Sequence, residues 1–335
     1  MQLQRHPENP IVRPGRLPWR RVATFNPGAV LADDGTVYLL ERACSSLAPL
    51  YSHVGLLASG DGVHFELVRE EPVFTAAQLG TPYGTVEDPR VVAIDGEYLM
   101  TYVHRNYASS CHPNGVGVPG YTEASFVPPD DPNLYRSGLA RSRDLIAWED
   151  LGPVTPPEVD DRDCVLFPER IAGRYAMLRR PQHYTGAQYG GLDHPSIWVT
   201  DSADLRAWNE PRLVATVEQD WEGVKIGAGA TPLATAEGYL LIYHGVDAAA
   251  NYRTGVMLLD RDDPSRVIAR CPHPIFAPET YYETTGLIIP RVVFPSANVV
   301  KDGLVYIYYG ACDSCICLAT VPLDELLATV LQHRR

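Results

Sequence analysis

No run of apolar residues in this chain approaches the roughly 18 that a membrane-spanning helix needs, although 45% of its residues are hydrophobic. The opening stretch, Met1 to Pro14, has no apolar h-region. That argues against a secretory signal and sets the expectation of a cytoplasmic protein. No Pro/Ser/Gly-rich linker interrupts the chain, so nothing in its composition marks a domain boundary. Cysteines number seven, and an odd count excludes a complete disulfide framework and fits a reducing compartment. Cys312-x-x-Cys315 has no second such pair and no His pair nearby, so it reads as core cysteine and no metal site is expected. Lys and Arg total 28 against 41 Asp and Glu, a formal net charge of -13. This sets nucleic acid and anionic membranes aside as partners. Basic residues gathered in a pocket would be a local exception.

What the chain does contain is a pattern repeated five times: a residue before Pro, a few apolar residues, a Gly turn, then a run of Tyr, Leu and Ile. It reads FNPGAVLADDGTVYLL from Phe25, EDPRVVAIDGEYLMTYV from Glu87, FPERIAGRYAML from Phe167, ATPLATAEGYLLIYHG from Ala230 and FPSANVVKDGLVYIYYG from Phe294. The prolines Pro27, Pro89, Pro168, Pro232 and Pro295 are spaced 62, 79, 64 and 63 residues apart. A second element alternates with the first, an apolar pair followed by Ser-x-Asp and an aromatic, from Gly55, Gly138 and Ser196, with fainter copies from Gly255 and Cys315. Each unit therefore holds two hairpins, because alternating apolar runs broken by Asp-Gly or Glu-Gly are hairpin signals. A four-stranded unit cannot bury both faces alone, but it can when packed radially against copies of itself. The expectation is an all-β, five-bladed β-propeller with a central active-site channel, a single domain over residues 1–335. A pair of β-sandwiches is the competing reading, and it does not predict fivefold self-similarity. The long second spacing is explained by a loop inserted at about 104–135, rich in Pro, Gly, Asn and Tyr.

Residues far apart in sequence converge at the mouth of such a channel. By the repeat, Asn26, Asp88, Pro168, Thr231 and Pro295 are equivalent, and only blade two places a carboxylate there. Glu87-Asp88-Pro89-Arg90 is the richest cluster, with Arg90 as the expected charge partner of Asp88. An ion pair tying blades together explains the same tetrapeptide. A second cluster unites Arg162, Arg179, Arg180 and Lys225 with His244 at the end of IYHG. Arg forks and a Lys meeting at one point describe an oxyanion site, with phosphate the first candidate. Pairing of each cation with Asp161, Asp163, Glu169 or Glu222 is the alternative.

In these stretches, together with SHVGLLAS, RDCVLFPERI, KIGAG, GYLLIYHGV, YRTGVMLLD and KDGLVYIYYGA, the chain resembles glycoside hydrolase family 130 essentially from end to end. These are the inverting β-mannoside phosphorylases and their hydrolytic relatives. The resemblance implies a five-bladed propeller with Asp88 as proton donor. It implies Arg162, Arg180 and Lys225 as the cations that hold phosphate, with Asn26 and His244 beside them. Arg42 and Asp313 match positions expected to hold the mannose, and Arg90 is grouped with them as substrate-binding. The implied reaction is inverting phosphorolysis of β-mannosides to α-mannose 1-phosphate and a shortened acceptor, with inorganic phosphate as co-substrate and no cofactor. An inverting β-mannosidase using water and a non-catalytic glycan-binding propeller remain as alternatives. Two departures bear on the acceptor: the loop between Tyr102 and Arg136, and SANVV after Pro295 where a Cys-Gly-type turn is expected. A loop of that length could also reach a neighbouring copy in a homo-oligomer.

Overall fold

The computed structural model describes residue 1, residues 3–112 and residues 131–335. A two-residue strand, Gln4–Arg5 (β1), precedes the repeats. Blade one is built from Ala23–Leu31 (β2), Val37–Cys44 (β3), Ser52–Ser59 (β4) and Glu66–Leu67 (β5). Thr85–Ile94 (β6), Glu97–Arg105 (β7), Arg136–Ser142 (β8) and Glu149–Pro153 (β9) form blade two. Blade three contains Asp161–Leu166 (β10), Tyr175–Pro181 (β11), Ile197–Ser202 (β12) and Arg212–Ala215 (β13). In blade four the innermost strand is split into Lys225–Ala228 (β14) and Leu233–Thr235 (β15), followed by Gly238–Val246 (β16), Tyr252–Leu259 (β17) and Val267–Arg270 (β18). Blade five has Val293–Lys301 (β19), Leu304–Ala311 (β20) and Cys315–Pro322 (β21).

The strands of each blade pair antiparallel in chain order. Blade five takes its outer strand from the other end of the chain. Gln4 pairs with Thr320 and Arg5 with Ala319, so β1 closes the ring. Side-chain alternation along each strand feeds two different cores. Leu39 packs among Ala297, Val299 and Tyr308 of blade five, while its neighbour Leu40 packs among Val86, Val91 and Met100 of blade two. The remaining interfaces repeat the arrangement between blades two and three, three and four, and four and five. Both faces of every blade are thus buried, as the repeat requires. A short helix, Tyr281–Thr284 (α1), precedes blade five, and Leu323–Leu331 (α2) packs Leu326 and Val330 on the core between blades four and five.

The recurrent Ser-x-Asp is a turn device joining the third and fourth strands. The Asp144 carboxylate accepts the backbone N–H groups of Ile146 and Ala147 at 2.9 and 2.8 Å, and Asp204 accepts those of Arg206 and Ala207 at 2.9 and 3.0 Å. All seven cysteines are free and buried, including Cys312 and Cys315. Among the described residues no His, Cys, Asp and Glu cluster could hold a metal ion, and no helix is long and apolar enough to cross a membrane. The described ends of the inserted loop are stitched together, Asn106 Nδ2 donating to Asp131 at 2.7 Å and the Tyr107 N–H to Asn133 Oδ1 at 3.0 Å. The expected reshaping of the acceptor site by this loop falls largely on residues 113–130, which lie outside the described residues.

Candidate active site

In every blade the first strand begins, and the second ends, at the same mouth of the channel. Residues at these two positions line one pocket: Phe25, Asn26 and Arg42 from blade one, Glu87, Asp88 and Val103 from blade two, and Arg162, Asp163 and Arg180 from blade three. Blade four contributes Lys225, His244 and Tyr252, and blade five Val292, Phe294 and Asp313. Tyr135, Leu50, Ile288 and Ile289 complete the wall.

A bulge near the start of the inner strand aims the functional side chains. Pairing slips between Phe25 and Gly28 in β2, between Glu87 and Arg90 in β6, and between Arg162 and Val165 in β10. At these bulges Asn26, Asp88 and Asp163 adopt φ of 44°, 48° and 54°. This left-handed region is one that Asn and Asp tolerate better than most residues, and strain of this kind collects at functional sites. The blade-three equivalent of Asp88 is therefore Asp163. The expectation of Pro168 there is corrected by five residues, because Pro168 lies beyond the end of β10.

One half of the pocket is acidic. Asp88 Oδ1 accepts from Asn26 Nδ2 and from Arg42 Nη1, both at 2.9 Å, and Arg42 Nη2 is 3.0 Å from Glu87. Arg42 therefore ties blade one to both carboxylates of blade two. Burial pushes the Glu87 carboxyl up despite Arg42. Burial likewise pushes Asp313 up to about 6, against the pull of Arg42 and with help from Asp88. Burial of Glu87 and Asp313 beside one guanidinium favours retention of a proton in this half.

The other half is cationic. Arg162 and Arg180 are direct cross-strand partners. Like charges placed opposite each other destabilise a sheet, so stability alone does not select this pair. Arg180 Nε donates to Asp163 at 2.6 Å, and Asp163 lies 3.6 Å from His244 Nε2. Burial acts to raise the Asp163 carboxyl, but Arg180, His244 and Arg90 together hold it well below the usual range. His244 is pushed down to about 3, first by burial and then by Arg180 and Lys225, which leaves it neutral. Arg162 stacks 3.4 Å over the Tyr135 ring and lies 3.3 Å from Asp160. Lys225 has no hydrogen-bond or ion-pair partner among the described residues, and its ammonium stands 5.3 Å from the Tyr252 ring centre. Burial and Arg180 push it down to about 8. The chain has only two lysines, Lys225 and Lys301. A lone lysine in a wall otherwise built with arginine is a signal the sequence carried. Asn26 Oδ1, Arg42 Nε and His244 Nδ1 are buried without a hydrogen-bond partner among the described residues, in a place where buried polar atoms are normally satisfied.

Of the residues singled out in the sequence, Asp88, Arg162, Arg180, Lys225, Asn26, His244, Arg42 and Asp313 all line this pocket. Asn26 stands on the acidic side, its amide committed to Asp88. Arg90 is not part of the lining. It is buried beneath it, donating from Nε to Gly229 O at 2.6 Å and from Nη1 to Asp88 O at 3.0 Å. The partner of the Asp88 carboxylate is Arg42, so Arg90 holds the bulge that carries the acid and does not pair with its side chain. Arg179 points away from the pocket into a buried pair with Asp161, and Glu222 pairs with Arg270. Tyr135 and Tyr252 join the site without having been singled out for it, while Glu87, read as part of the Glu87–Arg90 cluster, and Asp163, read as an ion-pair partner of the cations, line it as well.

Gly227 shows how tightly the cationic half is assembled. A Cβ there would meet Asp163 Oδ2 at 2.2 Å and His244 Cε1 at 2.5 Å, both on buried side chains. Gly227→Ala is expected to lower unfolding free energy by about 1–3 kcal/mol, read from urea unfolding. A change within 0.3 kcal/mol, roughly the noise of such measurements, would show that the pair is free to move.

The chain matches the profile of a protein family, glycoside hydrolase family 130, described as beta-1,4-mannooligosaccharide phosphorylase, over residues 2–115 and 129–332. It is 35% identical over 333 residues to a 1,2-beta-oligomannan phosphorylase of Thermoanaerobacter sp., covering 97% of this chain and 99% of that protein. It is 29% identical over 343 residues to a beta-1,4-mannooligosaccharide phosphorylase of Ruminococcus albus, covering 98% and 91%. The fold superposes on a beta-1,2-mannobiose phosphorylase of Listeria innocua, solved with beta-1,2-mannobiose, with a TM-score of 0.80 at 24% identity, covering 99% of this chain and 100% of that one.

Proposed function

Because the chain belongs to glycoside hydrolase family 130, we propose that it cleaves β-mannosides with phosphate, giving α-mannose 1-phosphate and a shortened acceptor. The observation that carries this reading is the cross-strand Arg162–Arg180 pair with Lys225 beside it, opposite the carboxyl cluster around Arg42. Phosphate is already an anion at neutral pH, so a nucleophilic phosphate needs positioning and charge compensation and no base. Arg162, Arg180 and Lys225 supply both. A phosphate oxygen attacks the anomeric carbon from the face opposite the leaving oxygen, which inverts the configuration. As that bond forms, the glycosidic bond breaks, and the proton of Asp88 passes to the acceptor oxygen. Arg42 and Asn26 fix the Asp88 carboxyl, while Asp313 and Glu87 offer acceptors to mannose hydroxyls. The seven free, buried thiols support a reducing, cytoplasmic setting.

Hydrolysis by inversion asks for a second carboxylate to deprotonate water. Among the described lining residues, the carboxylate on the cationic side is Asp163, and Arg180 holds it ionised. A carboxylate so held is a weak base, which favours phosphate over water.

The reading is tested by supplying α-mannose 1-phosphate with mannose, glucose or N-acetylglucosamine and following phosphate release. Release with one acceptor supports it; no release, with mannose liberated from β-mannosides in phosphate-free buffer, sinks it. Arg162→Ala is expected to raise the KM for phosphate about 10- to 100-fold, the loss of one charge-assisted contact, while the KM for mannoside stays within about twofold. Equal effects on both would argue against the role.

Lys225 gives a pH signature. It is charged below about 8 and neutral above, so the KM for phosphate should climb as pH rises through that value. Lys225→Arg keeps the charge and should abolish this alkaline limb. Persistence of the limb in the arginine variant would assign it to another group.

A further inference from the structure

The segment Gly286–Arg291, which leads from α1 into blade five, exposes apolar side chains at the pocket mouth. Leu287 and Ile288 are 46% and 40% exposed, yet Ile288 and Ile289 belong to the pocket wall. From Val292 through Ile289 to Ile288 the wall passes from buried to half-buried to exposed, so the segment climbs from the floor to the rim.

Its backbone is fixed on the turn that carries Asp313. The Leu287 N–H donates to Ser314 Oγ at 3.0 Å and to Cys312 O at 3.3 Å, the residues on either side of Asp313. Gly286 is pressed so closely on Cys312 that a Cβ would lie 2.2 Å from its Cβ and carbonyl oxygen. At the far end Arg291 takes φ of 61°, and its carbonyl accepts the Tyr252 N–H at 3.0 Å. A loop held at both ends presents its apex without an ordering cost on binding.

In-line displacement decides what this apex meets. Phosphate enters from the side of Arg162, Arg180 and Lys225, so the leaving sugar departs on the side of the proton donor. Asp313 belongs to that acidic side, and the loop is bonded to Cys312 and Ser314 on either side of it. The apolar C–H face of a sugar ring suits an aliphatic surface. Resting on the phosphorolytic reading for direction, we propose that Ile288 is a specificity-determining residue. It packs against the acceptor sugar, the unit just beyond the scissile bond, while the mannose to be transferred lies deeper, among Arg42, Asp88 and Asp313.

The test reads binding without turnover. On an Asp88→Asn background, calorimetry compares β-1,2-mannobiose, which reaches the rim, with methyl β-mannoside, which does not. Ile288→Asn should weaken mannobiose binding roughly tenfold, the scale of one lost apolar contact, and leave methyl β-mannoside within twofold. Ile288→Leu should bind both ligands as the parent does. Equal weakening for both ligands, or none for either, overturns the proposal. Absence of phosphorolysis in the wild-type protein would count against the reaction and not against the loop, because these affinities are measured without it.

Discussion

Replacing Asp88 by Asn is expected to lower turnover about 10³-fold or more in both directions, within the range contributed by a positioned general acid. The fold should be unaffected. Asn keeps the shape and the left-handed tolerance that the bulge at φ 48° requires, and it can still accept from Asn26 and Arg42. What it lacks is a proton to give to the leaving oxygen. The KM values for phosphate and mannoside should therefore change little while kcat collapses, the pattern of a contact made in the transition state. A variant retaining more than a tenth of wild-type turnover would remove Asp88 from the acid role. Activated leaving groups such as aryl β-mannosides need less protonation, so they should recover part of the lost rate.

The second large effect separates binding from stability at Arg180. This residue and Asp163 are both almost wholly buried and bonded at 2.6 Å. Removing one partner strands the other, at a cost of about 3–5 kcal/mol. Arg180→Ala should accordingly lose that much unfolding free energy and lose phosphorolysis as well. Asp163→Ala should destabilise comparably, yet for another reason it should also weaken phosphate binding, since nothing then orients the Arg180 fork. The double variant is the informative one. With both charges gone the buried mismatch disappears, so stability should recover by an interaction energy of about 1–3 kcal/mol while activity stays lost. Recovery of both together would make the pair merely structural, and additive stability losses would mean that the two groups do not depend on each other.

Much of this was legible in the chain because β-propeller blades are local. Each hairpin is written in a contiguous stretch, with a Gly turn between alternating apolar runs, so five repeats announced five blades. The pocket followed from resemblance and from Asp88, Arg162, Arg180 and Lys225 as residue types. What stayed hidden depends on pairing across blades or across a bulge. Arg42, 46 positions from Asp88, takes the partnership that adjacency assigned to Arg90. In blade three the visible Phe167-Pro168 drew the repeat out of phase, because no proline follows Asp163 to mark the bulge. Closure by Gln4–Arg5 could not be read from two residues, since their partners lie more than 300 positions away. Tyr135 reaches the pocket from the connection before β8 and Tyr252 from the first position of β17, where no periodicity signals a direction.

The central claim is that phosphate, not water, is the nucleophile. The most direct measurement follows wild-type protein with β-1,2-mannobiose and inorganic phosphate by phosphorus and proton NMR from the first turnover, with β-1,4-mannobiose as contrast. The account predicts α-mannose 1-phosphate as the first mannosyl product, formed in proportion to the acceptor released and absent without phosphate. Free mannose appearing from both halves of the disaccharide at the same rate with or without phosphate would contradict it.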